Sequence, residues 1–310
     1  MESAKYNKGF QMKISLKFLA IVFLITVFIP LFVFAQKDST SKINKKRLVP
    51  MVTTVGLAYT AAWVGLDALW YKNYPHSAFH FFNDDKEWLQ IDKFGHAMTS
   101  FEESRLGVDL LKWCGASRKK AIVYGSITGF LLEAPIELFD GLSAEYGASL
   151  GDLTADATGS LMVLGQYLLW DDLRIHLKYS FHQTRYAALR PNEFGTSITQ
   201  QWLKDYNGQT YWFCANIHSF MKKESRFPKW LNLAIGYGAE GMVYADKKDN
   251  IAAGYQSYRQ YYLSVDIDLT KIKTRSVFLR KLFYAVNLVH LPAPALEFNK
   301  NGLKFHPIYI

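Results

Sequence analysis

The chain has 310 residues, half of them hydrophobic and 16% aromatic, with a formal net charge of +9. That length suffices for one large domain or two smaller ones, and the aromatic share suits membrane interfaces and β-surfaces. Two cysteines, Cys114 and Cys214, allow at most one internal disulfide, lack CxxC spacing and read as structural.

In chain order, residues 1–35 read as a signal peptide, with Met12 as a possible start. Lys13 and Lys17 form the basic region, Phe18 to Phe34 the apolar run, and Ala35 the small-residue cleavage site. Pro30 and the polar residues after Ala35 favour cleavage over an uncleaved anchor. No cysteine follows the site, so no lipid is expected there. Cleavage removes four lysines and one glutamate and leaves +6. The expected location is therefore outside the cytoplasm, in the periplasm or at the outer membrane. An exported chain without a binding motif argues against nucleic acid as a partner.

Residues 36–49 read as a linker and 50–172 as a helical bundle. Met51 to Leu66 is an uncharged run barely long enough to span a bilayer, and a buried helix fits it equally well. Tyr74 to Asp85 is an aromatic loop, and Asp92 to Cys114 an amphipathic helix. Arg118 to Asp140 reads as one further helix, with Gly125 and Gly129 at GxxxG spacing for close backbone approach. Ser149 to Asp152 resembles a capping box, with Asp where Glu or Gln is usual, and starts a last helix to Trp170.

From Leu173 the period changes to two. Ile175, Leu177, Tyr179 and Phe181 alternate with polar residues, as do Tyr261, Leu263, Val265, Ile267 and Leu269, the pattern of half-buried strands. Tyr211–Phe220 and Leu231–Ala245 read as two more strands. Val277–Leu288 reads as a short amphipathic helix, and Leu296–Ile310 as a hairpin turning at Asn299 to Gly302. This β-rich region, 173–310, holds 19 Lys/Arg against 9 Asp/Glu, which suits anionic lipid or an acidic partner as well as a solvated basic surface. His176 and His182 fall on the polar side of a strand and are expected at the surface.

The chemistry-bearing feature lies in the bundle. Between Ala121 and Asp172 stand eight carboxylates and no Lys or Arg, namely Glu133, Glu137, Asp140, Glu145, Asp152, Asp156, Asp171 and Asp172. Unpaired buried charge is costly. Asp92 and His96, Glu133 and Glu137, and Asp152 and Asp156 are each at i,i+4 and share a helix face, with Glu103 extending the first stripe and Asp140 following the second. If those faces meet, Asp92, Lys93, His96, Glu133, Glu137, Asp140, Ser149, Asp152 and Asp156 form a polar cluster. His96, Glu137, Asp152 and Asp156 are its candidate metal ligands, an oxygen-rich set suited to Mg, Ca, Mn or Fe. The alternative is a metal-free network in which Asp152 caps a helix, Glu133 and Glu137 serve backbone groups freed by Pro135, and Lys93 or Arg105 supply counter-charge. HExxH and Walker A are absent.

Three ordered blocks then carry a resemblance: Asp92-Lys93-Phe-Gly-His96, Glu137-Leu-Phe-Asp140, and Gly147-Ala-Ser149-Leu-Gly151-Asp152-Leu153-Thr-Ala-Asp156-Ala-Thr-Gly159. Over residues 92–165 they resemble the YfiM-like family of predicted periplasmic lipoproteins, a domain of unknown function. Phe79–Asp84, Lys204–Tyr211, Gly236–Gly241 and Asp266–Lys271 look like its long Bacteroidetes-type form. A weaker similarity is to VanZ-like membrane proteins. The chain departs from the family in lacking a lipobox cysteine. The resemblance implies an envelope location and a set of paired polar residues, but no reaction.

The expected architecture is α+β: a bundle of about four helices, membrane-associated in part or whole, followed by an antiparallel β-rich domain. The leading function is a cell-envelope protein of non-enzymatic, supporting character, with membrane lipid or an envelope protein as partner. The alternative is a metal-dependent enzyme acting on a lipid or lipid-linked substrate at the membrane surface. A small outer-membrane-type barrel is a third reading, against which about six strands fall short of the usual minimum of about eight.

Overall fold

The computed structural model describes residues 43–310 except 73 and 223. The signal segment and residues 36–42 of the linker lie outside the described residues. The fold is α+β, and the chain divides into two compact units. Among the described residues the first comprises those up to Asp84 together with Thr99–Leu164, and the second Asp85–Met98 together with Gly165–Ile310.

The helical unit is built on α1 (Lys45–Leu66), most of α2 (Ile91–Trp113), α3 (Arg118–Ser126), α4 (Thr128–Gly141) and most of α5 (Leu150–Trp170). Helix α1 starts at Lys45, where the Asn44 side chain accepts from Lys46 N at 3.0 Å, so the end of the expected linker is helical. Trp63, Tyr71 and Phe139 form an aromatic core, with the rings of Trp63 and Phe139 4.4 Å apart. Lys45–Tyr71 and Arg118–Gly141 are long and apolar enough to cross a membrane, by length and composition.

The expected single helix from Arg118 to Asp140 is two helices, broken at Ile127 and continuous through Pro135. Its two glycines do mark close approach. A Cβ on Gly125 would lie 2.4 Å from Val108 N, and one on Gly129 only 1.9 Å from Ser100 O. Only glycine lets these backbones meet.

The second unit carries six antiparallel strands in sequential order among the described residues: β1 (Ile175–Phe181), β2 (Gln209–Asn216), β3 (Leu231–Glu240), β4 (Tyr258–Ile267), β5 (Ala293–Asn299) and β6 (Gly302–Tyr309). The expected strand to Phe220 ends at Asn216 and gives way to a 3-10 turn, and the amphipathic helix ends at Val286. The final hairpin turns on Lys300 and Asn301, with Gly302 at φ +111°. The outer edge of β1 is paired too: Tyr179 N donates to Leu288 O and His290 N to Tyr179 O, both at 2.9 Å.

The alternation is present, but its polarity is reversed. On β4 the polar set Gln260, Ser264 and Asp266 is buried, while Tyr261, Leu263 and Val265 are exposed. Across the sheet Phe213, Ile235, Leu263, Leu296 and Phe305 stand opposite one another in a single row. Ile235 is 56% exposed and Phe305 59%. The buried face carries a polar network centred on Lys178 and Asp266. Lys178, fully buried, donates to Asp266 Oδ2 at 2.7 Å, Ile267 O at 2.9 Å and Asn287 Oδ1 at 3.2 Å. Three acceptors match the three ammonium protons. Asn232 Nδ2 donates to Asp266 Oδ2 at 3.0 Å, and Trp212 Nε1 to Ser180 Oγ at 3.0 Å. His176 is therefore buried, not at the surface, with Nε2 3.9 Å from Asp268; His182 is exposed as expected.

Immediately before α2, Trp88, Leu89 and Gln90 all take left-handed backbone angles, φ 46°, 50° and 65°. Such a turn costs about 1–2 kcal/mol per non-glycine residue. It is clamped by Trp88 N donating to Ala245 O (3.1 Å), Tyr237 OH to Leu89 O (2.5 Å) and Arg259 to Gln90 Oε1 (2.6 Å).

Candidate functional site

The helical unit brings together two sets of acids with different physical settings. The first sits at the start of α5. Ser149 Oγ accepts from Asp152 N at 3.1 Å, so Ser149 is the N-cap that the sequence suggests. Ser149 N donates to Glu137 Oε2 at 2.6 Å, so a glutamate from α4 caps the neighbouring helix. Ser149 Oγ in turn donates to Asp84 Oδ1 at 2.6 Å. Asp84, Glu137 and Asp152 thus gather where the positive end of a helix dipole favours negative charge.

The second set has no such help. Glu103 on α2, Glu133 on α4 and Asp156 on α5 lie away from any helix N-terminus. Glu133 and Asp156 are buried, and Glu103 Oε2 is sealed from solvent with no hydrogen-bond partner among the described residues. Burial, then the charges of Glu133 and Asp156, then a hydrogen bond with Glu133 hold the Glu103 carboxyl well above the ordinary range for glutamate.

A serine ladder fixes the three helices around these acids. Ser100 Oγ donates to Asp156 O at 2.6 Å and lies 2.9 Å from Ser160 Oγ, which is 3.0 Å from Ser104 Oγ. Gly129 N donates to Ser104 Oγ at 3.1 Å and Phe130 N to Ser160 Oγ at 2.9 Å. These are first-turn donors of α4, whose N-cap residue Ile127 offers no side-chain acceptor. The cap comes from two other helices, one turn before Glu133.

Asp140, Glu145, Asp171 and Asp172 stand outside these two sets. Asp140 is half-buried and hydrogen-bonds Tyr71. Glu145, Asp171 and Asp172 are exposed, and Asp172 meets Lys271 at 3.5 Å. Asp92, Lys93 and His96 precede Thr99 and belong to the sheet unit, where Lys93 pairs with Asp92 at 3.1 Å. His96 stands one turn before Ser100 on the continuous helix α2, so Asp92, His96, Ser100 and Glu103 follow one stripe. Arg105 pairs with Glu102 at 2.5 Å. Asp84, Ser100, Ser104 and Ser160 were not among the sequence candidates. Glu103 had a signal, its place on the His96 stripe; the serines had only small size at helical spacing.

Residues 80–170 match the family described as "predicted periplasmic lipoprotein (DUF2279)". The match spans the loop before α2 and the acids from Asp84 to Asp156, and it supports an exported, periplasmic envelope protein. No curated protein and no solved structure matches the chain.

Proposed function

We propose that this is a periplasmic envelope protein of supporting, non-enzymatic character whose helical unit binds one divalent cation through Glu103, Glu133 and Asp156. The observation that carries this reading is Glu103. A carboxyl sealed in an apolar bundle beside two further acids needs a proton or a cation there. Three carboxylates suit Mg, Ca or Mn. In the absence of metal a proton on Glu103 relieves the repulsion, so cation binding releases protons. Glu137 and Asp152 then serve as structure, since Ser149 and the α5 N-terminus already engage them. The YfiM-like resemblance of the three polar blocks supports the same location.

The test is thermal unfolding of chelator-treated protein. Added Ca, Mg or Mn should raise the midpoint, because a ligand at a hundred times its Kd stabilises the native state by about 2.7 kcal/mol. The rise should vanish in Glu103→Gln and in Asp156→Asn. A wild-type midpoint that ignores both cation and chelator would sink the proposal.

A further inference from the structure

The polarity of the sheet is a feature that the cation site does not use. In water, a sheet with one solvated face turns its polar side outward. Here Lys178, Asp266 and Asn232 are enclosed, while Ile235, Tyr261, Leu263, Phe298, Leu303 and Phe305 form a contiguous exposed field across four strands. Apolar-out, polar-in alternation is the pattern of strands whose outer solvent is hydrocarbon. A patch this broad marks an interaction surface.

The helix Val277–Val286 gives the occupant. It follows β4 through the 3-10 turn Leu269–Lys271, packs on that turn, and has no buried residue of its own. Phe278 is 72% exposed and Leu282, one turn on, 42%. Lys281 borders this stripe, Arg280 lies on the opposite side of the helix, and Lys273 and Arg275 precede it, all exposed. An apolar stripe bordered by basic residues is the composition of a helix lying in the headgroup layer of an anionic membrane. We infer that the outer sheet face and this helix together dock on an anionic phospholipid bilayer, with the aromatic and aliphatic side chains in the acyl region and the basic residues among the headgroups.

Site-specific probes test this in the full chain, so that insertion of other apolar segments does not confuse the result. Phe278→Cys, Leu263→Cys and a control, Asp249→Cys, are each labelled with an environment-sensitive fluorophore and mixed with phosphatidylcholine vesicles with and without phosphatidylglycerol. The first two labels should blue-shift with the anionic vesicles and be quenched by spin-labelled acyl chains; the control should not respond. Arg280→Glu with Lys281→Glu should abolish the preference for anionic vesicles, as should high salt. No blue-shift at either probe overturns the inference, even where the protein itself floats with the vesicles. A shift that appears without vesicles as protein concentration rises also overturns it, because the face would then pair with a second copy.

Discussion

Substituting Gly129 by Ala probes the packing on which the acid cluster depends. Its new Cβ would lie 1.9 Å from Ser100 O, a backbone atom of α2 that no rotamer change can move. Bringing that contact even to 3.0 Å moves α4 away from α2 by about 1.1 Å. The bond from Gly129 N to Ser104 Oγ on α2 is 3.1 Å, so the same movement takes it out of range. Each buried donor left unmade costs about 1–3 kcal/mol, and overpacking adds about 1–3 kcal/mol. The gain of about 1 kcal/mol in helix propensity does not offset this. The net loss is on the order of 3 kcal/mol. Gly165 on α5 supplies the control, since a Cβ there meets nothing within 4 Å. Gly165→Ala should therefore stabilise by about 0.5–1 kcal/mol. Urea unfolding followed by circular dichroism reads both variants under identical solvent conditions. If Gly129→Ala matches wild type or behaves like Gly165→Ala, the close approach of α2 and α4 is wrong, and with it the seating of Glu103 beside Glu133.

Two further predictions concern the sheet unit. Lys178→Met should destabilise by about 3–5 kcal/mol, because it strands the buried Asp266, whereas Lys178→Met with Asp266→Leu should recover most of that loss; a double-mutant cycle in urea that shows simple additivity would refute the pairing. His290, stacked on Trp212 at 3.8 Å, is pushed down to about 4 by burial, with Lys178 adding and Asp266 opposing. The folded state thus binds fewer protons than the unfolded state between that value and the ordinary 6.5, so stability should fall as pH drops through this window, by on the order of 3 kcal/mol in all. His290→Phe should flatten that part of the stability–pH curve, and an unchanged slope would assign it to another group.

The parts of the fold most legible in the sequence are those whose signals are local. The Ser149 cap, the reach of α2 and α5, and the Asn299–Gly302 turn each follow from a few adjacent residues. The GxxxG spacing likewise foretells close approach, though not that the helix breaks between the two glycines. The sheet is legible only by half. Period two fixes which residues share a face, but not which face meets solvent. That is decided by partners such as Lys178 and Asp266, which are far apart in sequence and complementary only once paired. The same holds for the acids: identical i,i+4 spacing covers Glu137, which caps another helix, and Glu133, which faces Glu103. The left-handed turn at Trp88–Gln90 has no glycine to announce it and is imposed by contacts from distant residues.

The central claim is that Glu103, Glu133 and Asp156 hold a cation. It is tested most directly by equilibrium dialysis of the purified protein against Ca, Mg or Mn, with elemental analysis of the retained metal. The account predicts a single bound divalent cation per chain, retained against a physiological salt background, and lost in Glu103→Gln with Asp156→Asn while circular dichroism shows the helices intact. A folded wild-type protein that retains no metal above the dialysate, or a double variant that retains as much as wild type, would contradict it.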